Sequence, residues 1–291
     1  MTHIHAPTTE TIQFHAQDGR VLSGTLFVPA QSNGLCVVIN GAMGVRHTFY
    51  QAFAQCLAAA GCVVVAYDYR GMGASRAGAI RAEDATLWQW GRQDVSAALA
   101  YAHERWPEHR LWVVGHSLGG QLLGLAEHHE WVKGLLAVAT PNGYWGHWPR
   151  PLRYALAALW HVGMPSLTNV CGYFPARLLR LGGADLPAGV AHEWARWCRH
   201  PDYVLDPHGR PWRAGFAAFR GRVWAYGVDD DWMAPEASIQ ALMRLYVQAQ
   251  VCQHTVRAAE VGQGDKIGHF GFFRPGQTEL WAEALAKMLV P

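Results

Sequence analysis

Apolar residues along the chain fall into two rhythms. Short, nearly unbroken runs at Leu35–Asn40 (LCVVIN), Cys62–Tyr67 (CVVVAY), Leu111–Val114 (LWVV) and Val132–Ala139 (VKGLLAVA) alternate with longer stretches, Thr48–Ala60, Asp94–Arg105 and Gln121–Glu127, where apolar positions recur every three or four residues. An unbroken run suits a strand covered on both faces, and the three-to-four spacing gives a helix one apolar face. Their alternation requires crossovers, which predicts a doubly wound α/β core with a mostly parallel sheet. Ahead of it, Thr11–Ala16 and Val21–Pro29 alternate apolar and polar residues and are joined through Asp18-Gly19, which predicts an antiparallel hairpin. Further on, Arg222–Val228, Pro235–Val247, Cys252–Ala259 and Gln277–Leu289 resume the order strand, helix, strand, helix.

Between the two halves the pattern changes. Residues 143–221 have no strong strand signal but carry six tryptophans (Trp145, Trp148, Trp160, Trp194, Trp197, Trp212), with helical spacing at Leu152–His161 and Val190–Arg199. The expected organisation is one core, residues 1–142 and 222–291, with 143–221 inserted as a helical cap over the carboxyl edge of the sheet, where open α/β folds bind ligands. At least half of these aromatics are expected to pack only the insertion's own small core.

Composition narrows the class. Of 291 residues, 51% are hydrophobic and 16% charged, which excludes a disordered chain. Mean hydropathy is −0.03, and the greasiest stretch, Tyr154–Met164, is too short to span a bilayer and contains His161. The N-terminal MTHIHAPTTE has neither a basic start nor an apolar signal core, so a cytoplasmic location is expected. A net charge of +2 gives no argument for nucleic acid. The scattered Cys36, Cys56, Cys62, Cys171, Cys198 and Cys252 read as free thiols. His3/His5 and His128/His129 lack companion ligands, so no metal and no other cofactor is expected. Nothing fixes the number of chains that assemble.

The chemistry begins where the run Leu111–Val114 meets Gly115-His116-Ser117-Leu118-Gly119. This fits G-x-S-x-G, in which a serine sits on a tight, strained turn from strand to helix with its hydroxyl above the sheet. The flanking glycines leave room for backbone crossing close by.

With its GHSLGG elbow, DYRGMGAS at Asp68–Ser75, NGAMG after LCVVIN and the late GHFGFF, the chain resembles the α/β-hydrolase family over nearly its whole length. The resemblance implies a mostly parallel eight-stranded sheet with helices on both faces, an inserted cap, and triad members in the order nucleophile, acid, base. Ser117 is then the nucleophile and His269, in Gly268-His269-Phe270-Gly271, the base. The acid lies in Asp229-Asp230-Asp231: the family's spacing from Gly227 selects Asp230, and its spacing to Pro235 selects Asp231. Asp230 is preferred, Asp231 is the alternative, and Asp229 reads as a solvated residue at a strand end. His254, inside a predicted strand, reads as a packed or surface residue, and Asp265 and Lys266 as loop charges. The implied oxyanion donors are the amides of Leu118 and Ala42, with Met43 as the alternative to Ala42; Asn40 stands where the family usually has histidine. Asp68 and Arg70 are expected to form a structural ion pair.

The implied activity is that of a serine hydrolase of carboxylesterase or thioesterase type, cleaving a small acyl substrate through an acyl-enzyme without a cofactor. Acyl transfer, lactone opening, or a catalytically silent binding protein on the same fold are the alternatives. The insertion adds a hint about substrate. From Trp145 to Arg220 there are nine arginines (Arg150, Arg153, Arg177, Arg180, Arg196, Arg199, Arg210, Arg213, Arg220), no lysine, and four acids (Asp185, Glu193, Asp202, Asp206). Either the arginines pair with those acids and face solvent, or they receive an anionic or carrier-bound acyl group.

Overall fold

A computed structural model of the chain describes residues 6–179, 183–261 and 266–290; His3, His5, Arg180 and Asp265 lie outside them. Eight strands form one sheet in the order β1 (Thr8–His15), β2 (Val21–Val28), β4 (Val63–Tyr67), β3 (Leu35–Asn40), β5 (Arg110–His116), β6 (Val132–Val138), β9 (Arg222–Val228), β10 (Gln250–Val256). The hairpin β1–β2 pairs antiparallel through His15 opposite Val21, and β2 also runs antiparallel to β4. Every other neighbour from β4 to β10 is parallel. This is the α/β-hydrolase fold.

The unbroken apolar runs are the strands covered on both faces. Every residue of β3 and β4 is buried, as are the last six of β5. Helices Gln51–Ala59, Ser96–Arg105 and Thr278–Leu289 supply the cover, each turning a buried face inward, such as Phe53 and Leu57 or Leu280, Trp281 and Met288. The chain passes from β3 outward to β4 and then returns to the other side of β3 as β5. Such a reversal brings the loops after β3 and β5 side by side at the carboxyl edge, the usual ligand crevice of an open α/β sheet.

Between β6 and β9 the chain forms helices Leu152–Ala158, Met164–Cys171 and Ala188–Arg199, with π-helical Leu159–Gly163 joining the first two. It also contains a two-stranded antiparallel sheet that the sequence pattern did not predict, β7 (Tyr173–Phe174) against β8 (Leu186–Pro187). Two-residue strands drawn from segments eleven residues apart leave no local period to read. The helix after Ser117 is shorter than its spacing predicts, α-helical only over Leu118–Leu122 and then 3-10 to Leu125. There the Trp212 indole N–H donates to the Gly124 carbonyl at 2.9 Å, and Phe216 packs where a Gly124 side chain would stand. Among the described residues no helix is long and apolar enough to cross a membrane.

Candidate active site

Ser117 follows the last residue of β5 with φ 52° and ψ −117°, and the helix Leu118–Leu122 starts at the next residue. A non-glycine residue in this region is strained and is held there by its surroundings. Its amide donates to the Val138 carbonyl of β6 at 2.9 Å, continuing the sheet past the strand end. A Cβ on Gly119 would run into the Asn40 carbonyl, and one on Gly115 into the Gly120 backbone. The glycines are therefore required by backbone crossing. Asn40 ties the two loops together: its Nδ2 donates to the Gly119 carbonyl at 3.3 Å, and its Oδ1 accepts from the Tyr67 hydroxyl at 3.0 Å.

His269 lies on the short helix Gly268–Gly271 after β10 and is 8% exposed. Its Nδ1 is 2.7 Å from Asp231 Oδ2, so this nitrogen carries the proton and Nε2 is left as the acceptor. The preference for Asp230 is thereby corrected, because the carboxylate hydrogen-bonded to the imidazole is that of Asp231. Asp230 accepts from the amides of Ile267 at 3.0 Å and Gly268 at 2.7 Å, gripping the loop that carries His269. The ladder of β9 runs on through the Asp229 amide to the Val256 carbonyl, and the turn closes from the Asp231 amide to Val228 at 3.1 Å. Counting from Gly227 therefore falls one residue short, whereas counting back from Pro235 reaches the buried carboxylate. Asp229 is exposed and accepts from the Ala258 amide.

Of the expected oxyanion donors Leu118 and Ala42, with Met43 as the alternative, Ala42 is the one whose amide is already engaged. The Ala42 amide donates to the Tyr50 hydroxyl at 2.8 Å and is not free for a substrate oxygen. Among the described residues neither the Met43 nor the Leu118 amide donates to a protein acceptor, and both residues face the cavity. Nothing in the sequence singled out Tyr50, whose ring is fully buried.

That cavity has a volume of about 450 Å³. Ser117, Leu118, Met43 and His269 line it together with Leu156, Leu159, Trp160, Met164 and Trp194 of the segment between β6 and β9. Its polar side-chain atoms are partly tied up, since the Tyr203 hydroxyl donates to Gln121 Oε1 at 2.7 Å and Gln121 Nε2 donates to the Pro141 carbonyl at 2.7 Å. Among the described residues no arginine or lysine lines it. Arg196, Arg210 and Arg213 pair with Glu193, Asp206 and Asp202, and Arg153 donates to the carbonyls of Trp148 and Gly146.

Asp68 and Arg70 do not pair with each other. Asp68 accepts from His47, through its amide and Nδ1, and from the Ala74 amide, fixing the loop after β4. Arg70 pairs with Asp94 at 2.7 Å and with Asp18 of the first hairpin at 2.5 Å. Asp94 is fully buried and also accepts the Arg70 amide at 2.8 Å. The DYRGMGAS motif thus fastens the hairpin to the core.

A serine on a strained strand-to-helix turn, with an imidazole held by a buried carboxylate, over a mostly parallel sheet, defines an α/β hydrolase. The chain belongs to the family described as serine aminopeptidase, S33, whose profile matches residues 30–178. No curated protein matches the sequence. Among solved structures, an esterase of Pyrococcus furiosus is similar at 15% identity and a TM-score of 0.63, over 96% of this chain and 90% of that one. The α/β hydrolase GrgF of Penicillium sp. sh18 is similar at 14% identity and 0.63, over 97% and 98%. DcsB, in complex with its substrate analogue, gives 15% and 0.62, over 97% and 99%. At these identities the likeness is one of fold.

Proposed function

We propose that the protein hydrolyses esters of neutral, hydrocarbon-rich acyl groups through an acyl-enzyme. Ser117 Oγ attacks the carbonyl carbon while His269 Nε2 takes the hydroxyl proton. Asp231 holds the imidazole in that tautomer and stabilises the imidazolium, and the amides of Leu118 and Met43 receive the developing oxyanion. His269 then returns the proton to the leaving alcohol, and water, deprotonated by the same imidazole, releases the acid. The segment between β6 and β9 acts as the cap. The observation that carries this reading is the pairing of Ser117 at φ 52° with a cavity that it shares with an Asp231-bound His269. No hydrogen bond joins the Ser117 and His269 side chains among the described residues, and such contacts commonly close only with substrate in place.

The acyl class follows from the wall. A carboxylate or phosphate entering this cavity would lose its water and meet no arginine or lysine among the described residues, which disfavours the anionic acyl group that the arginine count raised. Thioesters fit the same chemistry, and so does transfer to an acceptor other than water.

p-Nitrophenyl esters of increasing chain length, compared with a hemisuccinate ester, test both parts. Each added methylene should raise kcat/KM about fourfold until the cavity is full, the hemisuccinate should be the poorest substrate, and Ser117→Ala should abolish hydrolysis and fluorophosphonate labelling. Full activity in Ser117→Ala refutes the mechanism; preference for the hemisuccinate refutes the acyl class.

A further inference from the structure

We infer that His116 is a positioning residue that holds the oxyanion turn and the loop of the base in one register through a directed chain of hydrogen bonds. This rests on the serine-hydrolase reading and adds to it a residue that does not touch substrate. The imidazole of His116 is fully buried at the end of β5, beside Ser117. Its Nε2 lies 2.8 Å from the backbone carbonyl of His269, and a carbonyl only accepts, so Nε2 carries the proton. Nδ1, 2.9 Å from the Tyr50 hydroxyl, is then a lone pair that accepts the phenolic proton. The Tyr50 oxygen in turn accepts the Ala42 amide at 2.8 Å.

Every donor in this chain has one acceptor and the order has one sense. Ala42 N–H donates to Tyr50, Tyr50 O–H to His116, and His116 N–H to the His269 carbonyl. One end is the residue before Met43, whose amide the proposed mechanism uses, and the other is the main chain of the base itself. Aromatic rings hold the imidazole in place, with the Phe273 centroid 4.8 Å away, Phe270 at 5.5 Å and Tyr50 at 5.8 Å. Burial, together with the His269 ring centred 5.2 Å away, holds the His116 imidazole well below the usual histidine range. It therefore stays uncharged while its neighbour accepts the serine proton. A protonated His116 would point a second N–H at the Tyr50 oxygen, reversing that one link and leaving the phenolic proton without its acceptor.

The arrangement assigns different consequences to different substitutions. His116→Leu keeps much of the volume and removes both arms, leaving the His269 carbonyl without this donor and the Tyr50 hydroxyl proton without an acceptor. Tyr50→Phe removes only the arm to the oxyanion turn. His116→Gln restores a donor that can reach the His269 carbonyl.

The experiment is steady-state hydrolysis of one neutral ester by wild type, Ser117→Ala and these three variants, with thermal unfolding of each. His116→Leu should lower kcat about 100-fold, the scale expected for a misplacement of about 1 Å, with KM nearly unchanged. Tyr50→Phe, which removes the hydrogen bonds to Ala42 and to His116, should lower kcat about 30-fold, the scale of two lost hydrogen bonds, and His116→Gln should recover part of the loss. If His116→Leu does not fold, Tyr50→Phe and His116→Gln give the answer. A folded His116→Leu or Tyr50→Phe that lowers only Tm, with kcat at the wild-type value, overturns the positioning role and makes these residues packing alone. Activity that survives in Ser117→Ala overturns the serine-hydrolase reading itself, so the two failures are distinct.

Discussion

Replacing Asp231 by asparagine removes one charge and keeps the volume. In the native site the carboxylate lies 2.7 Å from His269 Nδ1, its side chain 1% exposed and that of the imidazole 5%, so water screens little of their interaction. When the imidazole takes the serine proton it becomes a cation beside this anion. Two unit charges about 4 Å apart attract by about 4 kcal/mol at an effective dielectric constant of about 20, and a barrier raised by that amount slows the reaction about 10³-fold. An asparagine can also turn its NH₂ toward the ring and select the wrong tautomer, which adds to the loss. Asp230→Asn acts differently. It leaves the imidazolium its anion but weakens the grip on the Ile267 and Gly268 amides, so a loss of about tenfold is expected, as for one hydrogen bond. Hydrolysis of a short p-nitrophenyl ester, with kcat and KM resolved and folding checked by circular dichroism, should separate the variants by about 100-fold in kcat. Equal losses, or a larger loss in Asp230→Asn, would refute the assignment of Asp231.

Two stability predictions follow from groups away from the cavity and beneath it. Asp94→Ala leaves Arg70, 3% exposed, with Asp18 as its one ionic partner among the described residues; unfolding by urea should report a loss of about 3–5 kcal/mol, typical of breaking a buried pair, and a loss under 1 kcal/mol would mean that Asp18 alone suffices. His116 is neutral when folded and titrates near its ordinary value of about 6.5 when unfolded, so the unfolded state binds the extra proton and stability falls as pH drops below about 6.5. Between about pH 7 and about pH 5 His116→Leu should therefore lose about 2 kcal/mol less than wild type; parallel curves would show that His116 titrates alike in both states.

The sequence determined whatever depends on neighbours along the chain. Unbroken apolar runs specified the buried strands, because a strand covered on both faces has no polar side to display. The glycines around Ser117 specified the elbow, because no side chain fits where Asn40 and Gly120 cross. The tertiary structure decided which groups meet. Asp230 and Asp231 are adjacent and chemically identical, and the choice between them rests on how far β9 extends before its turn, which β10 sets by pairing through Val256. Ala42 was read as a free donor because the hydroxyl that takes its amide belongs to Tyr50, a residue marked by no motif. The arginines of the inserted segment look like an anion site as a count along the chain. Folding gives several of them carboxylates or carbonyls, and none of the described ones lines the cavity, since burying an unpaired charge costs far more than pairing it at the surface.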